Sequence, residues 1–200
     1  VYADAAATSG IHTDFAMDSE GDDLYLLDPA GTIIDSITFG PQLADLSIGR
    51  IGDDGKWSLT ESTFGSKNIA AARGDFRTLK INEWLAAGQI LFVNDWFEIY
   101  NPSPWPVDMS GLYVTDDPVA EPNKCQIQPL SFISGLGYAK LTAGGQDLTF
   151  SLNADGEMLA LYDSDLNEID QVVYGPQMTD VSLGRTPDGG GRIQYFDLPT

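Results

Sequence analysis

Two residue types cap the nucleophilic chemistry open to this chain, which has a single histidine, His12, and a single cysteine, Cys125. A Ser-His-Asp or Cys-His arrangement would have to use His12, which lies far in sequence from Cys125. Cys125 sits in the strand-like run KCQIQ, which suits a small buried thiol better than a nucleophile. The chain has no G-x-S-x-G, H-E-x-x-H, phosphate-loop or dinucleotide fingerprint. It has too few His and Cys for a zinc site. Thirty acidic residues offer many carboxylate pairs for glycoside hydrolysis, but nothing selects one pair. The expectation is a protein without catalysis. Calcium suits the composition better, since it takes carboxylate and carbonyl oxygens from turn-rich loops. The acidic turns are Glu20-Asp22-Asp23, Asp53-Asp54, Asp116-Asp117 and Asp163-Asp165. None follows the D-x-D-x-D-G pattern, and turn-forming aspartates explain them without metal.

The elements that would position any site are written twice. Residues 35–50 read DSITFGPQLADLSIGR and residues 170–185 read DQVVYGPQMTDVSLGR. The match runs without a gap from Phe15–Arg50 to Phe150–Arg185. Alternation of period two, with turn residues at short intervals, predicts antiparallel strands in a sandwich or barrel. Comparing the two copies sets the inward face. Ile37, Phe39, Val172 and Tyr174 are apolar in both, as are Leu24, Leu26, Leu159, Leu161, Phe15 and Phe150, and all are expected in a core. Tyr195 and Phe196 carry a terminal strand pattern and are expected there too. No long helix is predicted.

Arg50 and Arg185 stand at the same place in the two copies of a chain with only 10 basic residues. A guanidinium there reads as an internal clamp on a carboxylate or on loop carbonyls, with Asp35 and Asp170 as partners. Ligand contact is the alternative. Trp105 lies between Pro104 and Pro106 in NPSPWP, where a ring held out on a stiff loop could stack on a sugar or on a partner's proline. It could also fold back and cap the sandwich. Residues 65–78 lose the alternation and read as a linker. They contain Arg73-Gly74-Asp75, too short a match to a receptor-recognition tripeptide to carry weight.

The net charge of −20 disfavours nucleic acid and anionic lipid surfaces. No apolar run is long enough to predict a membrane-spanning helix. Val1 reads as an internal residue of a longer polypeptide, so an export signal is expected outside this fragment.

Several further segments carry a family resemblance. They are Glu98–Pro102 (EIYNP), Val107–Asp117 (VDMSGLYVTDD), the turn at Asp155-Gly156, and Asp170–Gly189 with its DxVxYGPQ and SLGRxPDG pieces. In this order the chain resembles a lamin-tail domain of the bacterial kind found in exported or cell-surface proteins. The resemblance implies an all-β fold, an immunoglobulin-like antiparallel β-sandwich, without a catalytic site. It implies one complete copy at 78–200, a linker at 67–77, and the C-terminal half of a preceding copy at 1–66. It implies an interaction or attachment module whose partner is a protein or a cell-surface component. A calcium-dependent or carbohydrate-binding adhesive module is the alternative. In that reading Asp116 and Asp117, which end a strand the resemblance places at a sandwich rim, are the metal ligands and Trp105 is the ligand contact. The first copy lacks strands equivalent to Leu79–Asp117. A half sandwich exposes its core, so strand exchange, a homodimer, or packing on the second copy is expected to complete it.

Overall fold

The structure is a computed structural model that describes residues 3, 9, 12–90, 94–145 and 147–199. Residues 91–93, 146 and 200 and most of residues 1–11 lie outside the described residues. The fold is all-β. Its strands are β1 (Asp22–Leu27), β2 (Ile33–Phe39), β3 (Leu46–Ile51), β4 (Lys56–Glu61), β5 (Lys80–Leu85), β6 (Trp96–Tyr100), β7 (Val107–Asp108), β8 (Tyr113–Thr115), β9 (Cys125–Gln126), β10 (Phe132–Ile133), β11 (Tyr138–Thr142), β12 (Glu157–Tyr162), β13 (Glu168–Tyr174), β14 (Ser182–Arg185) and β15 (Ile193–Phe196). Among the described residues the only helical element is one 3-10 turn, Phe76–Thr78, and no helix is long and apolar enough to cross a membrane.

The chain divides into two compact units. Unit 1 is residues 1–71 with 128–132, and unit 2 is residues 72–127 with 133–200. Unit 2 is a two-sheet antiparallel sandwich. One sheet has the order β11-β6-β5-β14-β15 and the other β13-β12-β8-β9. Alternate residues of both sheets meet in one core that includes Ile81, Trp84, Phe97, Ile99, Val114, Leu159, Leu161, Val172, Tyr174 and Leu183. Trp84 packs against Tyr174 with ring centroids 5.6 Å apart. Tyr195 is exposed and Phe196 half-buried, against expectation. Their strand, β15, is the outer one of its sheet, and among the described residues it has a strand neighbour on one side only.

Among the described residues the strands of unit 1 up to β4 form two separate hairpins, β1–β2 and β3–β4. The β1–β2 ladder pairs Asp22 with Phe39 and Leu26 with Asp35, with a bulge between Leu26 and Leu27. The β12–β13 ladder pairs Glu157 with Tyr174 and Leu161 with Asp170, with a bulge between Leu161 and Tyr162. The two registers therefore coincide at aligned positions, bulge included. A glycine closes each hairpin end. Gly21 (φ +135) and Gly156 (φ +108) approach the carbonyls of Phe39 and Tyr174, and a Cβ at either would meet that oxygen within 3.0 Å.

The stretch 65–78 is not a free linker. Ala70 bridges to Thr60, Ala71 N–H donates to Leu59 O, and Glu61 N–H donates to Ile69 O, so 69–71 pair with the edge of β4. Gly74 N–H donates to Pro106 O, which anchors the following residues in unit 2. Backbone hydrogen bonds need no apolar alternation, and the absence of alternation is what suggested a linker. Residues 128–132 enter unit 1 in a similar way. Pro129 O accepts from Gly40 N–H, Phe132 N–H donates to Pro41 O, and Gln42 Nε2 donates to Leu130 O. Phe132 is buried with Leu59 and Ala71 in a small core.

Candidate functional site

The repeated arginines build two versions of one device. In unit 2, Arg185 on β14 reaches Asp170 on β13, with Nη2 at 3.0 Å from Oδ2. Both groups also grip β5. Ile81 N–H donates to Asp170 Oδ2 at 2.9 Å, and Arg185 Nε donates to Ile81 O at 2.8 Å. Arg185 Nη1 donates to Gly190 O, and Lys80 Nζ lies 3.3 Å from Asp170 Oδ1. The pair therefore satisfies both backbone groups of one residue and ties the two sheets together. The planar guanidinium, with donors on three nitrogens, makes this possible.

In unit 1, Arg50 Nη2 donates to Asp35 Oδ1 at 2.7 Å, and the guanidinium lies over the Trp57 ring at 4.6 Å. Among the described residues of unit 1 no strand stands in the place of β5. The side chains of Arg50 and Asp35 are 47% and 49% exposed, against 11% for each of Arg185 and Asp170.

The same difference extends over the sheet face. Leu159 and Leu161 are 1% and 0% exposed, while the aligned Leu24 and Leu26 are 36% and 58% exposed. Phe150 is buried and Phe15 is exposed. Of the unit 1 residues expected in a core, only Phe39 is buried, and Ile37 is half-buried. The inward assignments for Leu24, Leu26 and Phe15 are thus corrected. The face is the apolar one, but among the described residues of unit 1 no second sheet covers it. What remains is an open groove of about 440 Å³ lined by Met17, Leu24, Ile37, Phe39, Ile48 and Trp57, among others.

A second cavity, of about 580 Å³, lies in unit 2 and is lined by Arg73, Gly74, Phe76, Asp108, Ser110, Leu112, Asp163 and Ser164. Its charged side chains are already engaged. Arg73 Nη1 is 2.9 Å from Asp108 Oδ2, and Asp108 Oδ1 accepts from the Ser110 N–H and Oγ. Asp163 Oδ1 accepts from the backbone of Asp165 and Asn167, and the Asn167 side chain adds further bonds that hold its carboxyl below the usual range. The Arg73-Gly74-Asp75 tripeptide is fixed as well, with Asp75 capping the 3-10 turn through Arg77 N–H.

Asp116 and Asp117 do not assemble a cation site. Lys124 Nζ sits 2.5 Å from Asp116 Oδ1, and that hydrogen bond holds the ammonium above the usual lysine range. Asp117 Oδ1 accepts from Ala120 N–H. Among the described residues no group of three or more His, Cys, Asp or Glu could hold a metal. The correction has a simple cause: Lys124 places a positive charge where the cation would go.

Trp105 does not fold back to cap the sandwich. It is 55% exposed. Its loop is rigid because buried Asn101 donates through Nδ2 to Trp105 O and Ser134 O, and accepts at Oδ1 from Ser103 N–H. Cys125 is buried in the unit 2 core, its Sγ 3.3 Å from Asp147 O. Two carboxylates face each other across β5–β6, Glu83 and Glu98, and burial pushes Glu98 up. Ser182 Oγ donates to Glu83 and Asn82 to Glu98, and neither acid lines the two cavities above. Glu157 is also pushed up by burial. It accepts from Tyr174 Oη at 2.7 Å, and burial followed by this bond pushes the phenol far up. Both serve the core rather than a cleft.

No protein-family model, curated protein or solved structure matches this chain. The lamin-tail resemblance therefore rests on the motifs quoted above. The grip of Asp170 and Arg185 on Ile81, and the entry of 128–132 into unit 1, had no signal in the sequence. Neither involves a periodic pattern or a charged pair at short range.

Proposed function

We propose that this chain is a non-catalytic interaction or attachment module of lamin-tail, immunoglobulin-like type, duplicated with an incomplete first copy, within a larger exported or cell-surface bacterial protein. The observation that carries the reading is the open apolar groove of unit 1, because contiguous exposed apolar surface on a folded unit marks a place where another molecule docks. The coincident registers of β1–β2 and β12–β13 support duplication. The charge of −20 keeps such a surface soluble and directs it away from polyanions. One observation favours a second reading, a carbohydrate-binding adhesive module: the exposed Trp105 ring on a rigid loop.

The test is the molar mass by light scattering and the melting temperature, each with and without millimolar calcium, together with dye binding and an oligosaccharide titration. The interaction reading expects both quantities to be indifferent to calcium. It also expects an apolar fluorescent dye to bind the wild type and to be lost on Phe39→Asp or Leu24→Asp, both of which line the groove. A calcium-raised melting temperature, or saturable oligosaccharide quenching of Trp105 fluorescence, would move the assignment to the adhesive module.

A further inference from the structure

Unit 2 shows what a complete version of the unit 1 face holds. There the face of β12–β13 is covered by β5, an extended strand of sequence KINEWL. Three features fix that strand. Asp170 and Arg185 bind the N–H and C=O of Ile81. Trp84 packs on Tyr174. The strand's edge pairs with β14, Trp84 opposite Leu183 and Glu83 opposite Gly184.

Unit 1 keeps the receiving half of each feature. Asp35 and Arg50 stand in the places of Asp170 and Arg185, already paired with each other and half exposed. Phe39 stands in the place of Tyr174 and lines the groove. Ile48 and Gly49 on β3 stand in the places of Leu183 and Gly184, and among the described residues β3 has a single strand partner, β4, with no strand on its opposite edge. The groove of about 440 Å³ is lined on one side by Leu24, Ile37 and Phe39 and on the other by Leu46, Ile48 and Trp57, so a strand laid between the hairpins would contact both.

We infer that the unit 1 groove is a strand-acceptor site, which takes an extended peptide segment with an apolar residue three positions before a tryptophan, the spacing of Ile81 and Trp84. This rests on the interaction-module reading and names the partner's chemistry. The incoming apolar residue donates its N–H to Asp35 and offers its C=O to Arg50 Nε. The tryptophan enters the groove against Phe39, and the backbone adds to the β3 edge. Recognition is by main chain plus one aromatic anchor, so register matters more than overall composition. One obstacle is built in. Asn68 Nδ2 donates to Arg50 O and lies where a Cβ on Gly49 would be, so the strand must displace that side chain.

The test uses the full chain and the synthetic peptide TLKINEWLA, the sequence of residues 78–86, titrated by calorimetry and followed by amide chemical shifts. The expected result is saturable one-to-one binding with shifts centred on β1, β2 and β3. Asp35→Asn, Arg50→Ala, and the peptide with its tryptophan replaced by alanine should each weaken binding about tenfold or more, the scale of losing one charge-assisted bond or one aromatic anchor. A scrambled peptide should not bind. The proposal is overturned by no saturable binding, by equal binding of the scrambled peptide, or by shifts confined to unit 2. A dimer in light scattering that depends on Asp35 and that the peptide does not dissociate would assign the groove to a second copy instead. Failure of the peptide with calcium-indifferent melting would leave the interaction module standing and remove only the strand acceptor.

Discussion

Asp170 with Arg185 and Asp35 with Arg50 are the same two residue types on aligned strands, yet only the first pair grips the backbone of a strand in a facing sheet. In unit 2 the ions are nearly withdrawn from water, and their hydration is replaced by bonds to the backbone of Ile81 and Gly190, to Lys80 and to each other. In unit 1 half of each side chain remains hydrated. A desolvated ion pair is worth much only when its remaining hydrogen bonds are satisfied, whereas an exposed pair is worth about 0–1 kcal/mol. The residues set what the pair is able to hold, and the presence of a covering strand sets its energetic weight. The leucines beneath teach the same lesson with apolar groups.

The largest effect should come from those leucines. Leu161→Ala is expected to destabilise unit 2 by roughly 2–5 kcal/mol, while Leu26→Ala should stay within about 0.5 kcal/mol. Urea melts followed by hydrogen exchange at β12 and β1 separate the two. Equal costs would mean that Leu26 is covered in solution and that the difference between the units is not real. Next in size, Arg185→Ala should cost about 3 kcal/mol by leaving Asp170 with one fewer cation and freeing Ile81 O, against about 0–1 kcal/mol for Arg50→Ala. A large loss from Arg50→Ala would show that the unit 1 clamp already holds a strand.

A smaller effect sharpens the contrast between Tyr174 and Phe39. Tyr174→Phe imports the unit 1 residue and removes the bond to Glu157, at about 1 kcal/mol near neutral pH. It should also change the alkaline limb. The Tyr174 phenol is raised above its ordinary value of 10.0, so its contribution is complete below that pH and is lost as pH climbs towards the higher folded value. The wild type should therefore lose stability above about pH 10 more steeply than the variant, as measured by melting temperature against pH. The smallest effect is at Glu157. Burial raises its carboxyl above 4.5, so stability is greatest below that value and declines as pH rises through the folded one. Glu157→Gln should flatten the fall of melting temperature as pH rises above 4.5, and an unchanged slope would mean that Glu157 is hydrated.

Alternation at period two made the all-β fold readable, and comparison of the two copies picked the correct face of β12–β13, where Leu159, Leu161, Val172 and Tyr174 are buried. The same reasoning misplaced Leu24, Leu26 and Phe15, because periodicity reports which side of a strand is apolar and carries no information on whether anything lies over it. Asp116 was misjudged because its partner, Lys124, comes from the far end of the next loop. Phe132 was invisible as a unit 1 residue, since its five-residue segment has no period and reaches its neighbours by long-range closure.

That segment also dictates an order of events during synthesis. Chains usually complete their N-terminal domain first as they leave the ribosome. Here the small core of Leu59, Ala71 and Phe132 cannot close until residue 132 has emerged, by which time β5 through β9 are already outside the tunnel. The core of the first unit must therefore wait, with Leu59 and Ala71 uncovered, while a large part of the second unit is being made, and that interval is when a chaperone has its best access to them.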